Sequence, residues 1–582
     1  MTKSVTPVEV IRRNAPYRVP RAKTPIDLYL DGNEGAAPPK ELLDALDDAD
    51  TDTLRRYPDT EPLHEALASH LGVNPHHLLV TAGADDAIDR VCRAVLQPGR
   101  NMVVPVPTFT MIPRFAEMTG AEVRRVEAGD GDYPLEAVID AIDENTSLII
   151  VVSPNNPTGV AAAAEQIETL ATRCPQALLL VDHAYGEFGG DDFTSRAPEF
   201  PNVVVTRTLS KAWGLAGLRV GYAVADEERI QWLATAGNPY PVSRLSVLVA
   251  AKWLATGDDE VERFVRRVRG ERCRLQASLD DLGISHSDSR ANFVFARVGD
   301  GLWWRDAMAG MGIGVRAFPG RPGLEDAVRI ACPGDRDDCA RVQHAIHTIA
   351  APEAILFDVD GVLCDVSRSY RQAIAQTAAH FGAEVTDDEI TRAKAAGDAN
   401  NDWRVTQRLL ESRGIDVSLD EVTEHFERLY QGTQDNPGLW AEETLLLEPE
   451  LLTNLREQGL KLGIVTGRPR RDARRFLEHF GLDEFFSAAV CMEDGPNKPD
   501  PAPVLQALEE LDVTRAWFIG DTPDDMRAGR GANVLPLGIV APGEDGPRMN
   551  SALLSSGAGR ILDNLQELLE TLTLQEPLEA SK

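Results

Sequence analysis

The sequence predicts an α/β protein made of two successive parts, and three observations point to that fold class. Apolar runs of strand length alternate with helical stretches on both sides of residue 350, which is typical of βα units around a parallel sheet. A chain of 582 residues is too long for one core, since domains average about 150 residues. Reactive side chains also fall into two separate sets, one before and one after that residue. The strand-like runs are 147–152, 177–181, 203–206, 354–357, 460–465 and 516–519.

Composition limits the kind of partner that the chain can have. With 43% hydrophobic and 26% charged residues, both parts are expected to be globular. The formal net charge of −33 argues against binding to nucleic acid or to an anionic membrane surface, because like charges repel. No run of about 20 apolar residues is present, and the seven cysteines are scattered without a CxxC pair. We therefore expect a cytoplasmic protein with reduced thiols.

The junction between the two parts is short. A helix that ends near residues 348–350 passes through Ala351-Pro-Glu directly into the next strand, so the two parts are expected to lie close together. Between 367 and 440 the strand signals disappear and helical periodicity takes over, for example at 370–381 and 421–430. This segment is predicted to be an all-helical insertion into the second α/β part.

A set of possible anion-binding residues surrounds one lysine in the first part. Lys211 follows a predicted strand, and three of its neighbours could hold a phosphate through hydroxyl groups and a guanidinium. These neighbours are Thr208, Ser210 and Arg219. A second stretch precedes a helix predicted at 86–96, whose free backbone N–H groups and dipole favour an anion. That stretch contains Gly83, Ala84 and Asp85.

Three more residues could hold an aromatic ring with a basic nitrogen and a phenolic oxygen. Asp182 comes at the end of a predicted strand, where its carboxylate could pair with a protonated ring nitrogen. Tyr185 and Asn156 could each form a hydrogen bond with the phenolic oxygen. A pyridoxal-phosphate enzyme needs these groups, a phosphate cradle and a lysine that binds an aldehyde. The first part is therefore predicted to hold pyridoxal 5′-phosphate.

In this order the motifs resemble those of fold-type I aminotransferases, and in particular the histidinol-phosphate aminotransferases. The resemblance covers nearly all of residues 1–350, starting at about residue 5. It implies a large cofactor domain at about 46–244 and a small domain formed by the N-terminal segment with about 245–350. The motifs are Leu30-Asp-Gly-Asn-Glu, Tyr57-Pro-Asp, Asn155-Asn-Pro-Thr-Gly and Arg207-Thr-Leu-Ser-Lys.

The resemblance also assigns roles at the cofactor. It implies that Lys211 binds the cofactor aldehyde and then moves a proton between the substrate and the cofactor. Phe109 would stack on the cofactor ring. Tyr57 would reach the cofactor phosphate of a neighbouring subunit, which implies a homodimer.

Substrate contacts follow from the same resemblance. Arg329 matches the arginine that family members use for the anionic end of the substrate, and Tyr17 and Asn33 are further candidates. Arg316 is another, although a surface salt bridge is an equal alternative for it. Two departures from the family pattern, Asn33-Glu-Gly-Ala and Asp182-His183, could alter the substrate pocket. Threonine-phosphate decarboxylases and aromatic aminotransferases share this scaffold, so the first part alone leaves the substrate open.

The second part contains the groups needed to hydrolyse a phosphate ester through a covalent intermediate. Asp358 and Asp360 follow a strand, and Gly361 after them allows a sharp turn that offers both carboxylates to one site. Asp358 would attack phosphorus, and Asp360 would act as general acid and then as base. Later strand ends supply a hydroxyl, fixed cations and carboxylates suited to Mg²⁺. These residues are Thr466, Gly467, Arg468, Lys498, Asp521 and Asp525.

This second set resembles the haloacid dehalogenase superfamily over about residues 353–575. The resemblance implies a Rossmann-like core at 353–366 and 441–575, with a helical cap at 367–440. A carboxylate at Asp360 favours phosphate transfer over dehalogenation, because a departing alkoxide needs a proton. The implied metal ligands are Asp358, Asp360, Asp521 and Asp525, and the implied phosphate-ester contacts are Thr466, Gly467, Arg468 and Lys498. Arg468 and the stretch 397–403 are candidates for specificity, with a polar helix start as the alternative.

Two adjacent steps of histidine biosynthesis fit this pair of activities. A transaminase would convert imidazole-acetol phosphate and glutamate to histidinol phosphate, and a phosphatase would then release histidinol. Two alternatives remain open. The first part could be an aromatic aminotransferase or a phospho-amino-acid decarboxylase, with a phosphatase of other specificity. The second part could also be a regulatory or docking module, although such a module would not need the four polar residues Asp358, Asp360, Lys498 and Asp521.

Overall fold

The computed structural model describes residues 5–47, 49–395, 401–433 and 436–573. In the upstream half the strands are β1 (Leu28–Tyr29), β2 (Leu78–Thr81), β3 (Asn101–Val106), β4 (Glu122–Glu127), β5 (Thr146–Val152), β6 (Leu178–Asp182), β7 (Val203–Thr208), β8 (Gly221–Val224), β9 (Phe293–Arg297), β10 (Ile313–Gly314), β11 (Arg316–Ala317) and β12 (Ala327–Ala331). The helices are α1 (Glu9–Arg13), α2 (Thr51–Arg55), α3 (Glu61–Leu71), α4 (Gly83–Val95), α5 (Met111–Met118), α6 (Leu135–Asp140), α7 (Ala164–Arg173), α8 (Glu227–Ala236), α9 (Arg244–Thr256), α10 (Asp258–Asp281), α11 (Gly301–Gly310) and α12 (Arg336–Ala350).

In the downstream half the strands are β13 (Ala354–Phe357), β14 (Cys364–Asp365), β15 (Gly432–Thr433), β16 (Asn436–Pro437), β17 (Thr444–Leu445), β18 (Lys461–Val465), β19 (Ala488–Val490), β20 (Ala516–Gly520), β21 (Leu535–Ile539) and β22 (Arg560–Leu562). The helices are α13 (Tyr370–His380), α14 (Asp387–Ala395), α15 (Asp402–Glu411), α16 (Leu419–Gln431), α17 (Pro449–Glu457), α18 (Arg470–Phe480), α19 (Ala502–Leu511), α20 (Pro523–Gly531), α21 (Gly546–Ser556) and α22 (Glu567–Thr573). Short 3₁₀ helices lie at 40–46, 75–77, 186–188, 197–199, 216–218, 439–442 and 492–494.

A seven-stranded sheet forms the centre of the upstream half. Its order is β2-β8-β7-β6-β5-β3-β4, and β8 alone runs antiparallel to its neighbours. Strand β5 reads Thr-Ser-Leu-Ile-Ile-Val-Val and is buried on both faces, as expected when helices cover both sides of a parallel sheet. The carboxyl ends of β6 and β7 lie side by side, so Asp182 and Thr208 reach the same edge of the sheet.

A smaller layer packs beside this sheet. Strands β11, β12 and β9 form an antiparallel sheet, and the N-terminal segment joins this region because β1 pairs in parallel with β10. The 24-residue helix α10 and helix α12 pack against each other next to it. Residues 28–33 are thereby brought from the start of the chain to the rim of the large sheet.

The downstream half is built on a six-stranded parallel sheet. Its order is β19-β18-β13-β20-β21-β22, so the first strand of this half, β13, lies in the middle. The chain leaves β13 toward β18 on one side and returns as β20 on the other. Ligands bind at such a reversal, outside the carboxyl ends of the strands, because the following loops diverge there. Asp358 directly follows β13 at this point.

The insertion between β14 and β17 is mainly helical. These two strands pair antiparallel at its base, and α13 to α16 pack against one another above it. The short antiparallel strands β15 (Gly432–Thr433) and β16 (Asn436–Pro437) pair with each other, so the prediction of an all-helical insertion is wrong there. Helix α16 ends at Gln431, and the pair begins at the next residue, Gly432, a glycine with positive φ (75°).

The other predicted elements are close to those observed. All six strand-like runs form strands, with ends shifted by one or two residues. The helix predicted at 86–96 instead spans Gly83–Val95, and its first residue, Gly83, has positive φ (79°). Among the described residues, none of the helices combines the length and apolar character that a membrane span requires.

The two halves share one hydrophobic core. Helix α11 packs on β21 and β22, and α12 packs on β20 and β21. The rings of Trp303 and Trp517 meet edge to face with centroids 5.7 Å apart, and Trp517 Nε1 donates to the Thr348 carbonyl (2.8 Å). Gly310 and Gly559 lie so close that a Cβ on Gly310 would come within 2.8 Å of the other Cα. The halves are therefore joined by buried apolar contact in addition to the covalent junction.

Candidate active sites

A pocket of about 270 Å³ opens at the carboxyl edge of the upstream sheet. It brings together residues from loops and strand ends that are far apart in sequence. The predicted residues that line it are Tyr17, Ala84, Asp85, Phe109, Asn156, Asp182, Tyr185, Thr208, Ser210, Lys211, Arg219, Arg316 and Arg329.

Lys211 projects into this pocket from the turn after β7. Its ammonium donates to the Gly32 carbonyl (3.0 Å) and lies 5.6 Å from the ring centroid of Tyr185. The backbone of this turn is packed tightly against the N-terminal segment. A Cβ on Gly35 would lie 1.8 Å from the Lys211 carbonyl oxygen, so only glycine fits there. The glycine in the Asn33-Glu-Gly-Ala departure thus allows the segment to approach the lysine.

Asp182 is a buried carboxylate at the floor of the pocket. Its Oδ1 accepts hydrogen bonds from Ala184 N (3.1 Å) and Thr206 Oγ1 (3.3 Å). Burial raises the pKa of Asp182 to about 7, because these two neutral donors do not replace the lost solvation. A cationic ring nitrogen placed here would stabilise the ionised form.

Tyr185 lies at the centre of a hydrogen-bond network. Asn33 Nδ2 and Asn156 Nδ2 donate to its hydroxyl at 3.1 and 3.5 Å. Arg329 Nη1 donates to Asn156 Oδ1 (2.8 Å), and its Nη2 donates to the Asp31 carbonyl (2.7 Å). Asn33 itself does not line the pocket; it orients a side chain that does.

The opposite side of the pocket has the character of a phosphate cradle. Thr208 Oγ1 donates to Ser210 Oγ (2.9 Å), and Arg219, in the left-handed region (φ 52°), directs its guanidinium to the start of α4. A Cβ on Gly83 would lie 3.0 Å from Arg219 Nη2, so the helix N-terminus and the arginine meet at one place. Hydroxyls, a guanidinium and free backbone N–H groups fit the phosphate of pyridoxal 5′-phosphate, and Asp182 fits its ring nitrogen.

Three arginines line the pocket wall that faces the small layer. Arg316 is buried, contacts the Tyr17 hydroxyl at 3.5 Å and has no carboxylate partner among the described residues, so the surface salt bridge considered for it is not formed. Burial lowers the pKa of Arg329 to about 10. Arg321, which the sequence analysis did not select, lines the same pocket, and burial and the charge of Arg316 lower its pKa.

Two other predicted features lie outside the pocket. The His183 ring is buried between the Ser153 carbonyl and the Phe193 N–H, which donates to Nε2 (3.2 Å), and burial lowers its pKa to about 4. In the Asp182-His183 departure, the histidine therefore contacts the backbone behind the site and does not form part of the pocket wall. Tyr57 is 77% exposed and stacks on Tyr240 with centroids 4.4 Å apart.

The downstream site centres on three buried carboxylates. Oxygen atoms of Asp358, Asp521 and Asp525 all lie within 4.8 Å of one another. Lys498 bridges Asp358 (3.0 Å) and Asp525 (2.5 Å). Burial, followed by the charge of Asp525, raises the pKa of Asp521 well above its usual range. Three carboxylates beside one lysine leave excess negative charge, and this donor set fits a hard divalent cation such as Mg²⁺.

Asp360 lies beside this cluster, with its carboxylate turned to another partner. Gly361 has positive φ (73°), and a Cβ there would lie 2.3 Å from Asp521 Oδ2, so the turn after β13 requires glycine. The carboxylate of Asp360 pairs with Arg468 Nη2 at 2.6 Å. Arg468 thus holds the Asp360 side chain outside the three-carboxylate group, and the prediction that Asp360 is a metal ligand stays a prediction.

Arg468 is enclosed within the protein. Only 1% of its side chain is exposed, and it donates to both carboxylate oxygens of Glu443 (3.1 Å each). Tyr430, at the end of the cap, donates to the same carboxylate (2.9 Å). The donors of Arg468 therefore already have protein partners, Asp360 and Glu443, and its contact with a bound ester stays a prediction.

The remaining predicted residues surround the cluster. Thr466 directly follows β18, and its hydroxyl accepts the Arg468 N–H (3.2 Å), while Gly467 lies in the turn between them. From the cap, the buried pair Lys394 and Asp402 (3.5 Å) faces the site, and these two residues were not selected from sequence. In the stretch 397–403, residues 397–400 lie outside the described residues.

The fold and the two sites define a pyridoxal-phosphate aminotransferase followed by a hydrolase-like domain. Residues 27–346 match the family model described as aminotransferase class I and II, and residues 355–539 match the model described as haloacid dehalogenase-like hydrolase. The chain belongs to the aminotransferase class I and II family. It has a fold-type I aminotransferase half and a downstream domain of the haloacid dehalogenase type, and both families are enzymes.

Several relatives are more specific. The chain is 37% identical over 308 residues to a histidinol-phosphate aminotransferase of Geobacillus thermodenitrificans, covering 51% of this chain and 83% of that protein. It is 38% identical over 320 residues to one of Roseiflexus castenholzii (52% and 85%). A solved histidinol-phosphate aminotransferase of Sinorhizobium meliloti, in complex with pyridoxal-5′-phosphate, has a TM-score of 0.53 at 27% identity, covering 60% of this chain and 100% of that chain.

Another relative carries a different name. The chain is 45% identical over 202 residues to an imidazoleglycerol-phosphate dehydratase of Phytophthora nicotianae. That match covers 33% of this chain and spans 45% of the relative, which is less than half of its length.

We expect Asp182 to make the stability of the cofactor-free chain depend on pH. Its folded-state pKa of about 7 exceeds the ordinary value of 3.8, so folding takes up a proton between these pH values. The free energy of unfolding should therefore fall as pH rises from about 4 to about 7, by up to about 1.4 kcal/mol per pH unit. Denaturant titrations at several pH values measure this free energy. The wild type should show the decrease between about pH 4 and about pH 7, and Asp182→Asn should lack it.

Asp132→Asn, at an exposed aspartate, is the matched control and should retain the wild-type slope. An Asp182→Asn chain whose stability changes with pH just as the wild type does would contradict the assignment of this proton to Asp182.

Proposed function

We propose that the chain is a bifunctional enzyme of histidine biosynthesis. The upstream half would transfer an amino group from glutamate to imidazole-acetol phosphate, forming histidinol phosphate and 2-oxoglutarate. The downstream half would be a Mg²⁺-dependent phosphatase that releases histidinol. The observation on which the proposal mainly rests is that a pocket with Lys211, Asp182 and three arginines shares one chain and one core with a buried three-carboxylate site.

In the upstream half each residue would have a definite task. Pyridoxal 5′-phosphate, when bound, withdraws electrons from the substrate Cα and so makes its proton acidic. Lys211 would remove that proton from Cα and deliver it on the cofactor side. Asp182 would keep the ring nitrogen protonated, and the Tyr185 hydroxyl would donate to the phenolic oxygen. Arg329 would bind the carboxylate of the amino donor.

In the downstream half Asp358 would attack the phosphorus of the ester. The bond from phosphorus to the ester oxygen breaks, and Asp360 gives its proton to the departing alkoxide. Asp360 then takes a proton from water, whose oxygen attacks phosphorus and frees Asp358. Lys498 would offset the charge of Asp358, and Asp358, Asp521 and Asp525 would hold Mg²⁺, which supplies positive charge for the transferring group.

The pairing of the two reactions supports the choice of substrate. Transamination is readily reversible, and hydrolysis of the phosphorylated product draws it forward. The relatives that are histidinol-phosphate aminotransferases, and the dehydratase named for imidazoleglycerol phosphate, support the same metabolic context. The specificity of the phosphatase rests on this pairing alone.

The pocket also has more positive charge than one carboxylate requires. Arg316 and Arg321 lie near Tyr17, and within the described residues neither forms an ion pair. Two adjacent guanidinium groups without a counter-ion repel each other, and a doubly charged phosphate would relieve that repulsion better than a carboxylate. Arg321 would therefore help to bind the phosphorylated substrate.

Assembly and location are part of the same proposal. The exposed stack of Tyr57 on Tyr240 is a suitable contact for a second copy, so we propose a homodimer in which Tyr57 reaches the partner's cofactor phosphate. All seven cysteines are unpaired, which agrees with a reducing cytoplasm.

Substitutions should separate the two activities. We expect Lys211→Ala to lower amino transfer by about 10³-fold or more, because the proton carrier is lost, with phosphate release from histidinol phosphate preserved. Asp358→Asn should do the reverse, since an amide cannot attack phosphorus. Amino transfer is followed as 2-oxoglutarate formation, and hydrolysis as phosphate release.

Lys252→Ala, at an exposed lysine, should leave both rates unchanged. If the wild type neither aminates imidazole-acetol phosphate nor hydrolyses histidinol phosphate, the proposed substrate is wrong. Activity on aromatic amino acids or loss of carboxylate as CO₂ would then favour the related aminotransferase or decarboxylase. A wild type that hydrolyses no phosphate ester would favour a docking role for the downstream half.

Arg321→Gln should affect the KM values of the two amino donors, histidinol phosphate and glutamate, to different extents. We expect the KM for histidinol phosphate to rise about tenfold, because a charge-assisted hydrogen bond to the phosphate is lost. The KM for glutamate should change by less than about twofold, since one carboxylate is served by Arg329 and Arg316. Arg290→Gln, at an exposed arginine paired with Asp288, is the control. Equal effects on both donors would refute a phosphate-specific role.

A further inference from the structure

The N-terminal segment 24–33 is anchored on the downstream domain at its start. Thr24 is buried, and its Oγ1 donates to the carbonyl of Ala558 (2.6 Å). Arg530, near the end of α20, donates to a backbone carbonyl of the segment and pairs with the Asp27 carboxylate at 2.6 Å. The same carboxylate also pairs with Arg341 of α12, in the upstream half, at 2.5 Å. Ala558 and Arg530 both belong to the downstream half, whereas the segment belongs to the aminotransferase.

The other end of the same segment enters the aminotransferase pocket. The carbonyl of Asp31 accepts a hydrogen bond from Arg329 Nη2 (2.7 Å). The carbonyl of Gly32 accepts one from Lys211 Nζ (3.0 Å). The segment thus holds the amino group of the catalytic lysine and the guanidinium of the substrate arginine.

The connection between the two ends is short and stiff. Asp27 and Gly32 are five positions apart in the chain, so an extended chain spans about 17 Å at most between them. Strand β1 lies in this stretch, and its edge is fixed by Asp27 N–H and Leu30 N–H, which donate to the carbonyls of Gly312 (2.9 Å) and Gly314 (2.8 Å). The anchor and the carbonyls at the pocket are therefore joined through one short, hydrogen-bonded stretch.

The downstream residues that contact the segment, Arg530 and Ala558, lie close to residues that pack against the upstream half. His344 on α12 forms a hydrogen bond with the Asn533 carbonyl (2.9 Å), three residues beyond Arg530. Gly559, next to Ala558, packs against Gly310, where a Cβ would meet backbone at 2.8 Å. The downstream groups that touch the segment are thus held at fixed places relative to the rest of the aminotransferase.

We propose that the downstream domain, through Arg530 and the Ala558 carbonyl, positions the segment that orients Lys211 and Arg329, so that it forms a structural part of the aminotransferase site. Arg530 is then a positioning residue for amino transfer, although it lies in the hydrolase half. The proposal rests on the aminotransferase reaction proposed above, but not on which phosphorylated substrate it uses.

The test removes both anchors from the whole chain with Thr24→Val and Arg530→Gln together, because a partly exposed ion pair alone contributes little. The KM for glutamate should rise about fivefold, since Arg329 loses its fixed position, while kcat for phosphate release changes by less than about twofold. Amide hydrogen exchange should become faster at 27–33 and stay unchanged in β6. The conservative pair Thr24→Ser and Arg530→Lys should restore most of the wild-type KM.

The matched control is Thr514→Val with Arg515→Gln. It removes the same side-chain types close to the junction, where their partner is Glu353, but it leaves 24–33 untouched. Anchor variants that match this control in KM overturn the proposal, as does faster exchange at 27–33 without a change in KM. If the wild type transfers no amino group from glutamate, the proposed function fails, and the exchange at 27–33 alone decides whether the anchor exists.

Discussion

Burial of apolar surface between helices α11 and α12 and strands β20 to β22 is the interaction on which the rest of the structure depends. Trp303 meets Trp517 there, and the buried side chains of both halves form one continuous core. If the two halves were separated, each would expose the apolar surface that it now buries against the other. Monomeric proteins rarely expose a contiguous apolar patch of this kind. Both sites are therefore built on one shared core.

Both sites retain charges that the protein alone does not balance. In the upstream pocket Asp182 is buried without a cation at hydrogen-bonding distance among the described residues, and Arg316 and Arg321 lack anions. In the downstream site three carboxylates surround Lys498. Burying unmatched charge costs free energy. The cost is understandable when a cofactor, a phosphorylated substrate and a divalent cation supply the opposite charges. The same burial raises the pKa of Asp182 and of Asp521 and lowers the pKa of Arg321.

Local sequence was sufficient for much of this organisation. Strands such as β5 and β13 are continuous apolar runs, and the motifs at their ends contain most of the residues that the two sites bring together. Contacts between distant segments were not predictable. Arg321 appears as an ordinary loop residue until the fold places it beside Arg316, and Arg468 faces Asp360 because the ends of the paired strands β13 and β18 lie side by side. The close approach of Gly35 to the Lys211 turn also depends on packing that no local pattern encodes.

The central claim is that the two halves are one cooperative unit. Differential scanning calorimetry of the whole chain tests it most directly, with pyridoxal phosphate added in one series and Mg²⁺ with inorganic phosphate in another. Because a ligand stabilises everything that unfolds together with its site, we expect one endotherm that either ligand shifts as a whole to higher temperature. Two endotherms, each shifted only by its own ligand, would contradict the shared core as the basis of the structure.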